Sequence, residues 1–554
     1  MYHLRRFLIG ILVIVSCYFA LSALHRHLDP NTRKSDEERE DVRWIATSKN
    51  WLDRQACRWV GICGLAHWHP DPAAKSWKHK QRSRKGQEPL IPTGEDDETS
   101  AEYVGWEDTN GEGRKMRPED WDGDSRVLKD VPQFVLDHAP LIHLYSGEQF
   151  WPSNIAEHLM HTAPHQNNTS LNLNNSQHSV HNLHMVNGRG RWLFMTSKDD
   201  VEQRPDWLGS AYNKPIPYPK DEDEEEVDTY TEFSPSETPK SDNKDQWYDS
   251  YGSQHKSSSP FSSSFRNQKP TRRSQRRSEY LGKPLLPAMP TPGGYSPAPA
   301  ILILVDKGNG ILDAFWFYFY SYNLGTTVLN IRFGNHIGDW EHSLIRFHHG
   351  VPKAVFFSAH SGGLAYSYDA VEKGKGRGRE GRPVLFSARG SHAMYATPGK
   401  HPYILPFGLL ADVTDRGPMW DPAQNYLAYH YNTSITHNAS AKSFGVPTIQ
   451  QVKDTLQPAA QNPKAPIGWW WYTGHWGDKF YELGDFRQWR FVGQYHYVNG
   501  PFGPRFKNLG RSRVCQSRGS CTVQSTLNGD DKRSWLGKRS VEMGEYGVDD
   551  KHKP

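Results

Sequence analysis

Residues 334–359 read GNHIGDWEHSLIRFHHGVPKAVFFSA. Asp339–Phe347 and Lys353–Ala359 are two β-prone runs, and the short Gly- and Pro-bearing connection His348-His349-Gly350-Val351-Pro352 between them predicts an antiparallel hairpin. Upstream, Ile301–Asp306 is a short apolar run and Ala314–Tyr322 (AFWFYFYSY) is almost entirely aromatic. Downstream, Tyr366–Tyr368, Pro383–Ala388 and Phe491–Tyr497 offer further strands. Gly, Pro and Asp punctuate the chain between them, and helical periodicity is scarce. The expected fold is mainly β, an antiparallel β-sandwich with long irregular loops over 125–510. An amino-terminal contribution is expected from a strand at Pro140–Tyr145 and a helix at Ser153–His161 with Ser153 as its N-cap.

The remainder of the chain has a different texture. Only 36% of the 554 residues are hydrophobic, with 47 Gly and 38 Pro, and mean hydropathy is −0.78. A large part therefore cannot bury enough apolar surface to order itself. That part is expected at 28–124, a charged stalk followed by a disordered segment, and at an insert of about 221–285, acidic first and basic later. Residues 511–554 form a tail with a small Cys loop. The 20 Trp, 26 Tyr and 23 Phe favour strand architecture over a Leu-rich bundle. A net charge of +4 is too near balance to imply nucleic acid as a partner.

Phe7–Leu24, FLIGILVIVSCYFALSAL, is uncharged and apolar, and basic residues flank it at both ends. Its length reaches the short limit of a membrane span and exceeds the usual core of a cleaved signal, so residues 1–27 are expected to be a signal anchor, an N-terminal transmembrane helix. Ala20-Leu21-Ser22-Ala23 leaves cleavage as the alternative. Five Cys without a Cys-x-x-Cys pair exclude a disulfide scaffold and a zinc ribbon. Cys57 with Cys63, and Cys515 with Cys521, are expected to close two small disulfide loops in a lumenal chain, the alternative being four free thiols. Sequons at Asn167, Asn168, Asn174, Asn432 and Asn438 agree with a glycosylated lumenal chain.

Asp339 and Glu341 share one face of a strand by its period of two, and His336 sits in the Gly-flanked turn just before them. Two carboxylates and an imidazole suit a divalent cation, Ca²⁺ or Mg²⁺ ahead of Zn²⁺ on the oxygen count. His360 and His392, at the ends of neighbouring strands, are candidates for additional ligands. In the alternative reading the two acids pair with Arg346 or Arg332. Ser391 beside His392 is not a nucleophilic dyad, because adjacent strand residues point apart. Gly374–Arg382 lacks the Lys-Ser/Thr end of a P-loop.

The segments FYFYSYNLG, IRFGNHIGDWEH, KAVFFSAHSGG, YSYDAVEK and RPVLFSARGSHAMYATPGKHPYILPFGLLADVTDRGPMWDP, from Phe317 to Pro422, closely resemble the fungal vacuolar protein sorting-associated protein 62 family. HAPLIHLYSGEQFWPSNIAEHLMHT upstream and WWWYTGHWGDKFY and GPFGPRFKNLGR downstream resemble it too. The resemblance implies a membrane-anchored protein of the secretory or vacuolar route, connected with vacuolar sorting and without an established enzymatic activity. More distantly, His-x-x-Asp-Trp-Glu followed by Ser-Ala-His is similar to the necrosis-inducing protein superfamily, secreted β-sandwich proteins with the heptapeptide Gly-His-Arg-His-Asp-Trp-Glu. That family's metal-holding His, Asp and Glu fall by match on His336, Asp339 and Glu341. The leading Gly is Asn335 here, the Arg is Ile337, the second His is Gly338, and the upstream metal Asp has Asn323 as its nearest counterpart, which puts toxin activity in doubt.

These readings predict a lumenal binding protein for a glycan or a lipid head group, cation-dependent and flanked by aromatic loops such as Trp469–Tyr472 and His475–Asp478 that suit sugar stacking or membrane contact. The bland reading of those aromatics is a buried core. The competing function is a metal-dependent hydrolase of the secretory or vacuolar lumen with Glu341 or His342 as base. His342, however, is expected to face away from the carboxylates alongside Trp340.

Overall fold

The computed structural model describes residues 36–68, 128–173, 178–218, 293–328, 331–376, 378–404, 410–434, 446–491, 493–517 and 521–527, with Val13, Ser16 and Cys17. Apart from those last three, the apolar stretch Phe7–Leu24 lies outside the described residues, as do 69–127, the insert at 221–285, Asn174, Asn438 and the tail beyond 527. Among the described residues no helix is long and apolar enough to cross a membrane.

The chain divides into two units, one of Met1–Asp71 with Phe480–Val498 and one of Pro72–Lys479 with Asn499–Met543. In the first, the charged segment expected as a stalk or short helix folds as two helices, α1 (Asp36–Thr47) and α2 (Trp51–Val60). The side chain of Asn50 caps α2 by accepting from the Asp53 N–H, and Gly61 ends it in the left-handed conformation. Cys57 and Cys63 are joined in a disulfide. They pack with Phe480, Leu483 and Tyr495 in a small core edged by Trp44 and Ile45.

The second unit is mainly β, as its sequence predicts. Its principal strands are β1 (Leu141–His143), β2 (Ala300–Gly308), β3 (Ile311–Asn323), β4 (His336–His348), β5 (Val351–Ala359), β6 (Gly362–Ser367), β7 (Val384–Ser387), β8 (Met394–Tyr395), β9 (Met419–Trp420), β10 (Tyr426–Tyr431), β11 (Leu456–Pro458) and β12 (Val523–Gln524). An eight-stranded sheet runs in the order β11-β10-β2-β3-β4-β5-β6-β12, and a four-stranded sheet in the order β8-β7-β1-β9. The predicted hairpin is β4–β5, in register from Ser343 opposite Phe357 to His348 opposite Val351. Its turn is His349-Gly350, both with positive φ of 49° and 78°, so it is a tighter two-residue turn than the five-residue connection expected.

Why β3 is aromatic without alternation is explained by burial of the large sheet on both faces. Phe315, Phe317 and Phe319 project with Trp340 and Leu344 into a cluster closed by Ile155 and Leu159, Leu183, Trp469–Trp471 and Trp476. Trp316, Tyr318 and Tyr320 project the other way, into a cluster with Ile142 and Leu144, Leu385, Met394 and Trp420 of the small sheet. The covering layers are thus a sheet on one face and helix α3 (Ile155–His161) with the Trp-rich segment on the other, rather than two sheets alone. Helix α3 begins one residue later than predicted: Asn154 is its cap, accepting from the Ala156 N–H, while the Ser153 hydroxyl bonds that of Ser210 at 2.6 Å.

Candidate functional site

In β4 the alternation places Asp339, Glu341 and Ser343 toward the small sheet and Trp340, His342 and Leu344 toward the Trp-rich layer. Gly338 precedes the first acid with φ of 67°, and a Cβ there would stand 2.3 Å from the Trp476 carbonyl oxygen. Only glycine allows this approach. Asp339 and Glu341 are both buried.

Each carboxylate has its own partner. Asp339 Oδ2 accepts from His392 Nδ1 at 2.9 Å, and the other ring nitrogen, Nε2, donates to the Phe150 carbonyl at 3.0 Å. The Phe150 carbonyl can only accept, so Nε2 carries a proton, and Nδ1 shares a proton with the Asp339 carboxyl group. Burial, the largest influence, opposes charge on the ring, but the hydrogen bond to Asp339 and the charges of Glu148 and Asp339 outweigh it and raise the His392 pKa. The ring also stacks on Tyr320, centroids 3.7 Å apart. Glu148 is 3.9 Å from it and accepts from the Gly390 N–H at 2.9 Å. Glu341 accepts from the Ser358 hydroxyl. Burial, then the Asp339 charge, push Glu341 up to about 8, against Lys507 and Ser358, which pull it down.

A second buried acid lies alongside. Asp412 accepts from Ser391 Oγ at 2.7 Å, Tyr395 OH at 2.6 Å and His360 Nε2 at 2.8 Å. Burial would raise its pKa, but His360 and these donors hold it below the ordinary carboxylate range. Burial likewise opposes charge on His360, and Asp412 with Glu341 overcomes it, so the His360 pKa is raised. Ser391 and His392 thus turn to different acids, as adjacent residues must. Arg346, offered by sequence as a partner for Asp339 or Glu341, instead grips Asp313 with two hydrogen bonds of 2.7 Å.

His336 opens β4, its Nδ1 at 2.6 Å from the Gly338 carbonyl oxygen; burial lowers its pKa despite the Asp339 charge. Among the described residues, the group of three acids, Cys or His with ligand atoms within 4.8 Å of one another is Asp41, Cys57 and Cys63, and its two thiols form a disulfide. His336, Asp339 and Glu341 therefore do not converge on one point in this conformation. Two carboxylates on one buried face still match the oxygen preference of Ca²⁺ or Mg²⁺.

Glu148, 3.9 Å from His392, also lines a small surface recess with Gly147, Gln149, Leu324, Arg332 and Arg389. Glu148, Ser358 and Asp412 were not singled out by motif or spacing. Of these, Asp412 carried a readable signal, an acid inside the apolar run LLADV.

The aromatic loops do not flank this recess as exposed stacking surfaces: Trp469, Trp470, Trp471 and Trp476 are buried in the core. His342 is buried too, stacked on Phe317, on the opposite face from both carboxylates, so it cannot serve as their base. Cys515 and Cys521 are disulfide-bonded. Asn167, Asn168 and Asn432 are exposed.

Residues 313–427 match the family described as vacuolar protein sorting-associated protein 62. The chain is similar to vacuolar protein sorting-associated protein 62 of Saccharomyces cerevisiae, 33% identical over 428 residues that cover 72% of each chain. It is also similar to TDA6 of the same yeast, which carries a vacuolar protein sorting-associated name, 33% identical over 418 residues, 70% of this chain and 68% of that one. Among solved structures it is similar to the non-toxic HaNLP3 protein, at 13% identity and a TM-score of 0.14 over 23% of this chain and 54% of that one. A structure titled "Toxin fold for microbial attack and plant defense" gives 12% identity and a TM-score of 0.16 over 32% and 84%. Scores this low carry no argument.

Proposed function

Because the chain belongs to the vacuolar protein sorting-associated protein 62 family, we propose that it acts in vacuolar protein sorting from the lumenal side of a membrane, held there by Phe7–Leu24 and working by binding rather than by chemical conversion. In this reading the four- and eight-stranded sheets form a β-sandwich, and the recess at Glu148, Arg332 and Arg389 receives a glycan or a lipid head group. The observation that carries it is the recess itself, where buried Glu148 stands with the two guanidinium side chains, and His392 links Glu148 to buried Asp339. Acceptors and donors side by side in a concave site are what hydroxyl- and phosphate-rich ligands need.

A divalent cation, Ca²⁺ or Mg²⁺ ahead of Zn²⁺, would be held by Asp339 and Glu341 with His336 beside them, and would supply positive charge for ligand oxygens. Elemental analysis of the purified full chain beside an Asp339→Asn/Glu341→Gln variant tests this. Metal in the wild type and its loss in the variant are expected; equal content in the two removes the cation from the reading. Lumenal exposure is checked separately by treating the native protein with an N-glycosidase. A mobility shift is expected, and an unchanged band overturns the lumenal assignment.

A further inference from the structure

Helix α2 presents an apolar face to solvent. Trp51, Leu52 and Trp59 are 60%, 68% and 66% exposed. At 100° per residue they fall with Gln55 and Arg58 on one arc of the helix, opposite the buried Asp53 and Cys57. Leu65, past its carboxy end, is also roughly half exposed.

The patch is built on a stiff support. Asn50 caps the first turn, and the Cys57–Cys63 disulfide closes the last. The Asp53 carboxylate accepts from the Gly64 and Leu65 N–H groups at 3.0 and 3.3 Å, which fixes the loop that carries Leu65. Trp59 Nε1 donates to Gln55 Oε1 one turn back at 3.0 Å, which ties the exposed indole to the helix. A soluble surface has no use for such an arrangement, whereas an apolar face kept rigid and exposed marks a contact.

We propose that the Trp51–Leu52–Trp59 face of α2 docks on the bilayer interface, seating its indoles at the head-group level. The proposal rests on reading Phe7–Leu24 as a membrane anchor. Residues 25–35 separate that stretch from α1, and eleven residues of any conformation reach at most about 40 Å. The first unit is thereby confined close to the membrane surface. The chemistry of the face agrees: Trp, with an apolar ring and one N–H, is the residue type enriched at the membrane–water boundary. Arg58 lies exposed on the same arc and Lys49 at the start of the helix, placed to meet lipid phosphates.

The first Trp of the sequence is Trp44, so Phe7–Leu24 contains none. Tryptophan quenching by brominated lipid acyl chains therefore reports on the folded chain and not on the anchor. The full chain is reconstituted into phosphatidylcholine/phosphatidylserine vesicles carrying brominated acyl chains, beside a Trp51→Phe/Trp59→Phe variant, and both are floated on a density gradient. Flotation of both, with quenching in the wild type that is largely lost in the variant, supports docking. Flotation without quenching, the result expected if a second copy or another protein covers the face, overturns docking and leaves the anchor standing. Quenching unchanged in the variant assigns the contact to another Trp, such as the exposed Trp192, and also overturns it. A chain that does not float overturns the anchor and the docking together.

Discussion

On one face of β4, Trp340 and His342 pack among Phe315, Phe317, Phe319, Phe356, Trp469 and Trp476; on the other, Asp339, Glu341 and Ser343 meet His392, Ser358 and the Tyr318 hydroxyl. Burial does not distinguish the faces, since all five residues are buried. Partnership does. Among the described residues neither ring nitrogen of His342 nor the Trp340 indole N–H meets a hydrogen-bond partner, whereas the acids on the other face are each bonded. Two buried histidines make the contrast sharpest. His392 stands between two acceptors that favour its protonated form; His342 stands among rings that hold its pKa well below the ordinary value. A face that keeps charge inside a protein invests in partners, and it is there that ligand chemistry can be sought.

The comparison breaks most visibly at Trp340. Its ring touches Phe317, Phe319, Trp469 and Trp476, and Trp340→Ala should cost about 4 kcal/mol of unfolding free energy, read from urea denaturation. A cost below about 1 kcal/mol would mean that the aromatic layer refills the cavity and does not fix β4 in place. On the polar face the expected loss is smaller and shared. Asp339→Ala should cost about 3 kcal/mol by removing the hydrogen-bond and charge partner of the buried His392 ring. Combined with His392→Leu in a double-mutant cycle, it should show a coupling of about 2 kcal/mol. Purely additive losses would mean that the pair is two independent residues.

How far the sequence reaches follows the same division. Period-two alternation placed Asp339 with Glu341 and turned His342 away from them, because the pleat dictates both. It could also mark β3 as buried on both faces, since nine nearly unbroken aromatic positions leave no polar side. His392, named as a candidate beside these acids, does reach Asp339, but Ser358, Glu148 and Asp412 were out of reach: they lie 17, 242 and 21 residues from the groups they bond, distances set by sheet order and not by local pattern. The aromatic runs misled in one respect. Trp469–Trp471, read as aromatic loops suited to stacking, are core, whereas Trp51 and Trp59, in a segment read as charged stalk, lie at the surface. What separates them is the residue next along: a Trp flanked by Trp and Tyr has an apolar neighbour on every side, whereas α2 alternates its Trp with Asp, Arg and Gln on a short amphipathic helix.

The smallest effect is the most diagnostic one. Burial, reinforced by Arg511 and Lys507, holds His342 well below its ordinary pKa. In the unfolded chain it takes a proton near pH 6.5, so below that pH the unfolded state binds the extra proton and stability falls as the solution is acidified. His158 acts in the same direction: burial lowers it to about 3, against a hydrogen bond to the Trp476 carbonyl. The raised pKa of His392 has the opposite sign, its contribution being present in acid and lost as pH rises through its folded value. His342→Phe fills the same space between Phe317 and Phe356 without an unpartnered ring nitrogen, and should stabilise the protein by about 1 kcal/mol at pH 7. Because the variant has removed one proton from the unfolded-state advantage, its lead over the wild type should widen by about 2 kcal/mol between pH 6.5 and pH 5. Urea midpoints at the two pH values measure this directly. A lead that stays constant would show that His342 is protonated in the folded chain, and the two faces of β4 would then differ in composition but not in how they treat charge.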